Sequence, residues 1–159
     1  MQITSSYSVE IRKQGLCFRK TFEAYRSAAA CLITVFNSVW EELEVIGNAK
    51  RRFNTAEHLV HSTKKNAARF DFDLRFPKMP SYLRRAAIQF ALGAVSSYRT
   101  RLKAWETASR CEEGGRGSGL ARQGRPVLES RNHAMPVFYH DVMYRAGGDR
   151  QRPGKAETF

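Results

Sequence analysis

Two pairs of adjacent cations, Lys64-Lys65 and Arg84-Arg85, flank the aromatic stretch Phe70-Asp71-Phe72-Asp73-Leu74-Arg75-Phe76-Pro77-Lys78-Met79-Pro80-Ser81-Tyr82, with Arg69 at its entrance. Cations interleaved with aromatics have the chemistry of polyanion contact. Ammonium and guanidinium groups hold phosphates, and exposed rings stack on bases. Arg99, further along the helix that begins near Ser81, extends the same basic set. The competing use of Phe70, Phe72 and Phe76 is to fix the loop against neighbouring helices. Most of the aromatics are expected to pack, and most of the arginines to bind.

Other chemistries fare worse. His58 and His61 are three apart and share a helix face, the spacing of a metal site. No Cys or Asp stands at ligand spacing to complete it, so a partly buried, hydrogen-bonded histidine is favoured. His58-Leu59-Val60-His61 is not the zinc-protease motif, because Glu57 precedes the first histidine. Asp71 and Asp73 are the one close pair of acids outside helix surfaces. They are expected to hydrogen-bond their own turn. The glycines of 114–119 follow no strand and open no helix, which excludes a phosphate loop of the Walker or Rossmann kind. No catalytic centre, metal site or cofactor site is expected. Cys17, Cys31 and Cys111 are too far apart for a zinc ribbon or a redox pair, and their odd number suits a reducing compartment.

The charge distribution points the same way as the cation pairs. The chain of 159 residues carries 27 basic and 15 acidic side chains, a net charge of +12. Residues 1–48 are balanced, five against five, whereas 49–106 hold thirteen basic and four acidic. A surplus so concentrated is an electrostatic footprint for nucleic acid or another anionic surface. No run approaches the length of a membrane span, and Met1–Tyr7 has no signal-peptide character, so a cytoplasmic location is expected.

The elements that must position these residues are legible as periodicities. Phe22, Tyr25, Ala29, Leu32, Phe36, Val39, Leu43 and Ile46 recur at steps of three and four, which predicts one helix from Thr21, its N-cap, to Ile46. Gly47-Asn48 would stop it. Asn54-Thr55-Ala56-Glu57 has the form of a capping box, opening a short helix that ends before Asn66. Pro77 and Pro80 favour extended chain, after which Ser81 caps a second long helix to about Glu106. Its apolar positions are Leu83, Ala87, Phe90, Ala91, Ala94, Tyr98, Leu102 and Trp105. Gly93 suggests a tightly packed neighbour, since glycine costs about 1 kcal/mol against alanine inside a helix. Five glycines in 114–124 form a flexible linker; loose alternation at 3–20 suggests a strand, and the apolar run in 134–145, whose alternation does not resolve cleanly, is read as a strand with a bend.

Pro80-Ser81-Tyr82-Leu83-Arg84-Arg85-Ala86-Ala87-Ile88, with Ala91-x-Gly93-x-Val95-Ser96-Ser97-Tyr98 and Trp105, closely resembles the OrfB (TnpB) proteins of insertion sequences. Thr21-x-x-x-Tyr25, Trp40-Glu41, Glu57-His58-Leu59-Val60-His61-Ser62-Thr63, Met135-Pro136-x-x-Tyr139 and Met143-Tyr144 extend the likeness over about residues 8–145. That resemblance implies an RNA-guided DNA endonuclease whose small β-barrel is interrupted by a helical recognition domain that grips guide RNA and the guide–target heteroduplex. The family's RuvC-like nuclease carboxylates and zinc ribbon are absent from this chain. The likeness also ends at Tyr144-Arg145.

The expectation is therefore a mainly α, α+β fold. First barrel strands occupy 1–20, a basic domain of two long helices and one short helix 21–107, a Gly-rich linker 108–133, a return strand 134–145 and a disordered tail 146–159. The function expected is that of a truncated TnpB-type fragment that binds RNA and DNA without cleaving them. Lys64, Lys65, Arg69, Arg84, Arg85 and Arg99 would contact phosphates, and the tail would be an out-of-frame remnant. With about six phosphates engaged, log affinity would fall against log salt with a slope near −5. The alternative is a small helical interaction protein that self-associates through the Phe22–Ile46 stripe and uses its charge only to stay dispersed.

Overall fold

The computed structural model describes residues 19–113, 123–128 and 134–136. Among them the protein is mainly helical: α1 (Arg19–Ser38), α2 (Trp40–Glu44), α3 (Ala49–Val60), α4 (Phe72–Arg75) and α5 (Ser81–Glu113). No strand occurs among the described residues; an isolated bridge joins Thr63 to Asn66. The expected strands at 1–18 and 137–145 lie outside the described residues, as does the tail. Arg19 and Lys20, assigned to the barrel by their sequence, are the first residues of α1 instead, and Arg19 Nε donates to Glu23 Oε1 one turn on at 2.9 Å. Residues 134–136, the start of the expected return strand, have no regular structure.

α5 is the spine. Tyr25 lies beside Ala86 and Phe90, Asn37 bonds Arg99, and Glu44 bonds Lys103. Partner positions advance together, so α1 and α5 run parallel. α3 runs back against the start of α5: the Arg85 guanidinium lies over the Phe53 ring, and Glu57 and His61 line one pocket with Ser81 and Arg84. The core between these helices holds Tyr25, Ala29, Leu32, Phe36, Val39, Leu43, Ala56, Val60, Phe72, Leu83, Ile88 and Val95, all buried. Burying each large apolar side chain contributes about 1.5–3 kcal/mol before chain entropy is charged against it.

Three boundaries differ from the sequence expectation, each for a local reason. The helix expected from Thr21 to Ile46 is broken at Val39, whose backbone sits at φ −113° and ψ 19°. The last turn of α1 lends its carbonyls to side chains: Ser38 Oγ donates to Val35 O at 2.7 Å, and Arg99 Nη2 donates to Asn37 O at 2.9 Å. Side chains inserted into the ladder are a standard cause of kinks. α3 begins at Ala49 rather than after Asn54, because Asn48 is its N-cap, with Oδ1 accepting from Arg51 N at 3.0 Å. The apolar stripe Phe53, Ala56, Val60 starts before Asn54, which lies exposed in mid-helix. α5 continues to Glu113, through the first residues of the expected linker.

Of the α5 positions expected on the apolar face, Leu83, Ala87, Ala91 and Leu102 are buried, but the stripe is wider on one side than expected and narrower on the other. Ile88, Leu92 and Val95 are buried, while Phe90 is 37% exposed. Gly93 is exposed, and a Cβ placed on it would meet nothing within 4 Å, so no close neighbour accounts for it.

Candidate nucleic-acid interface

The segment between α3 and α5 is a scaffold that ties the end of one helix to the start of the other. α3 ends at Val60, and its C-cap His61 donates its backbone N–H to Glu57 O at 2.8 Å. After Ser62, residues 63–66 fold into a tight turn, Thr63 N donating to Asn66 O at 2.8 Å and Asn66 N to Thr63 O at 3.2 Å. Asn66 Nδ2 donates to His58 O at 2.8 Å, pinning that turn back onto α3. Phe72 is buried and its ring lies 4.9 Å from that of Phe76. The one-turn helix α4 thus wedges into the core where a loop was expected. Asp73, on that turn, accepts from Ser62 N at 3.0 Å and sits 2.7 Å from His61 Nδ1.

Beside this hinge a pocket of about 380 Å³ is lined by Glu57, His58, His61, Thr63, Ser81, Tyr82, Arg84 and Arg85. Its walls come from the last turn of α3, the turn after it and the first turn of α5. The first N–H groups of a helix have no partner four residues back, and the positive end of the helix dipole lies there, so this end of α5 favours anions. Arg85 is exposed, with its guanidinium 5.2 Å over the Phe53 ring. Arg84 is half-buried, and its Nε is buried with no hydrogen-bond partner. An N–H left so costs about 1–3 kcal/mol. No acidic side chain among the described residues pairs with either arginine.

The six cations singled out from the sequence fall into three groups. Arg84 and Arg85 line the pocket, and Lys64 and Lys65 occupy the exposed corners of the turn next to its wall residue Thr63. Arg69 is exposed but holds both oxygens of Glu42 at 3.0 Å. Arg99 is stitched to α1, Nε to Asn37 Oδ1 at 3.0 Å and Nη2 to the Asn37 carbonyl. Arg52 does the same for α2, donating through Nε and Nη2 to Ile46 O at 3.1 and 2.8 Å with its guanidinium 5.8 Å from the Trp40 ring. Sequence reasoning passed over Ser81 and Thr63 as wall residues. Folding back the loop brings them together, and no local pattern marks that.

His58 and His61 both reach the pocket, with His61 turned to Asp73. No group of three or more metal-binding side chains occurs among the described residues. No helix among them is long and apolar enough to cross a membrane.

With residues 4–153 matching the Aq_aa04 family, the chain belongs to that family. The match runs past Tyr144-Arg145, so the segment after that junction is not private to this chain. No curated protein and no solved structure matches the chain.

Proposed function

We propose that this protein binds RNA, or an RNA–DNA heteroduplex, at the corner formed by the end of α3, the Thr63–Asn66 turn and the start of α5, and that it cleaves neither strand. The observation that carries this reading is a concave pocket lined by Arg84 and Arg85, with Lys64 and Lys65 exposed on the turn beside its wall residue Thr63 and none of the four paired to an acid among the described residues. The resemblance to insertion-sequence OrfB proteins makes guide-type RNA the first choice of ligand. On the same reading, the helices are a recognition unit set between barrel strands from about 3–20 and 134–145, and the protein works in the cytoplasm. An out-of-frame origin for the tail is set aside, since residues 146–153 fall inside the family match.

Self-association through the Phe22–Ile46 stripe finds no support in the geometry. Tyr25, Ala29, Leu32, Phe36, Val39 and Leu43 are buried within the chain, against its own α5. They are not available to a second copy.

The test is binding of structured RNA across a salt series. With Arg69 and Arg99 engaged internally, about four contacts remain. The slope of log affinity against log salt should be about −3.6 on a duplex, shallower than the value near −5 that six contacts would give. Replacing Arg84 and Arg85 by Ala should weaken binding to all sequences and leave helicity intact. A salt-insensitive or absent interaction would refute the proposal.

A further inference from the structure

The pocket beside α5 is concave, and at about 380 Å³ it lies at the lower end of the range for small-molecule sites, about 300–1,000 Å³. A nucleic-acid strand crossing a basic surface needs a groove open at both ends, whereas a pocket receives an end. Its polar groups are of two kinds. Arg84, Arg85, Ser81 and the first turn of α5 suit a phosphate. Glu57, on the α3 wall, repels phosphate and accepts hydrogen bonds from hydroxyl or amino groups. A terminal phosphate monoester carries more charge than an internal diester, so two guanidiniums with no carboxylate partner favour the terminal group. Tyr82 is 45% exposed and presents an aromatic ring at the same rim.

We propose that this pocket takes a nucleoside monophosphate, presented either as the phosphorylated end of a strand or as a free nucleotide, with phosphate against Arg84 and Arg85 and nucleoside hydroxyls toward Glu57. The inference rests on the nucleic-acid reading of the same corner and narrows it to a chain end.

The experiment measures fluorescence anisotropy of the full chain at fixed salt with one RNA oligonucleotide in three forms: 5′-phosphorylated, 3′-phosphorylated, and with hydroxyls at both ends. Adenosine monophosphate serves as competitor and as a ligand on its own. One phosphorylated form should bind about tenfold more tightly, the factor one charge-assisted hydrogen bond supplies. That preference should vanish in Arg84→Gln and in Arg85→Gln. The second variant guards against misfolding of the first, because Arg85 is exposed. Glu57→Gln should keep the phosphate preference and weaken discrimination between adenosine and deoxyadenosine monophosphate used as competitors. Mononucleotide binding that depends on Arg84 and Arg85, without preference among strands, assigns the pocket to a free nucleotide. Equal affinity for all three strands with no mononucleotide binding overturns the inference and leaves the nucleic-acid reading standing. Failure of every probe to bind overturns both.

Discussion

Arg99 is the position at which sequence and geometry make opposite claims, and a single substitution separates them. As one of the basic residues on α5 it was expected to touch phosphate. In the fold it spans the break between α1 and α2, donating to Asn37 Oδ1 at 3.0 Å and to the Asn37 carbonyl at 2.9 Å. Hydrogen bonds from a charged donor contribute about 1.5–3 kcal/mol each when buried. Both residues are half-buried, so water replaces part of what Arg99→Ala removes. A net loss of about 2 kcal/mol follows, including the carbonyl left without its donor at the kink. If the helical region unfolds as a domain of about 100 residues, about 4–8 °C per kcal/mol converts that loss into a fall in melting temperature of about 8–16 °C.

The assay is thermal unfolding by far-ultraviolet circular dichroism, paired with RNA affinity measured well below both midpoints. Arg99→Ala should lower the midpoint and leave affinity unchanged. Arg99→Lys should recover little, because one ammonium cannot reproduce the planar two-pronged contact with Asn37. An unchanged midpoint with weakened RNA binding would refute the reasoning and return Arg99 to the interface.

Three further outcomes follow from the same geometry. Asn48→Ala should cost about 1 kcal/mol in urea unfolding by removing the cap of α3, while Asn54→Ala should be neutral or gain a few tenths; the opposite order would place the helix start at Asn54. Gly93→Ala should stabilise by about 1 kcal/mol, since its Cβ meets nothing within 4 Å, and a fall in melting temperature would mean that something packs there after all. Glu42→Gln should change stability by less than about 1 kcal/mol, its ion pair with Arg69 being exposed, yet tighten RNA binding at low salt by releasing that guanidinium. Unaltered affinity would show that Arg69 lies away from the bound strand.

How far the fold could be read in advance depended on the scale of the signal. The α1 stripe was legible because Tyr25, Ala29, Leu32 and Phe36 share one face over several turns, and all four are buried. The break at Val39 was not, because no glycine or proline marks it, and one of the two side chains bonded to the carbonyls there, Arg99, is distant in sequence. On α5 the centre of the stripe was read correctly, Leu83, Ala87, Ala91 and Leu102 being buried, and the error lay at its flank. Phe90 and Ala94 were grouped with Leu83 and Ala87, but the parallel partner α1 selects Ile88, Leu92 and Val95 instead. Alanine is compatible with either face, and the Ala-rich stretch from Ala86 to Ala94 leaves the stripe without a clear edge. The corner at Arg84 and Arg85 was legible as composition. Its concavity was not, since that requires α4 to fold the loop back.

The fate of the basic residues shows why a formal charge overstates what a partner meets. Arginine's fork is suited to carbonyls at helix ends, and the protein uses it there: Arg52 on Ile46 and Arg99 on Asn37. The acids of α2 draw in two more cations, Glu42 holding Arg69 and Glu44 holding Lys103. Each of these residues counts toward the surplus of 49–106, and each is engaged before any ligand arrives. Lys64, Lys65, Arg84 and Arg85 differ because no carboxylate reaches them among the described residues, so a ligand phosphate displaces only water and mobile ions. Counterion release depends on those contacts alone. The salt slope therefore counts the phosphate contacts made in the complex, and a duplex value near −3.6 rather than −5 would match the four cations of this corner.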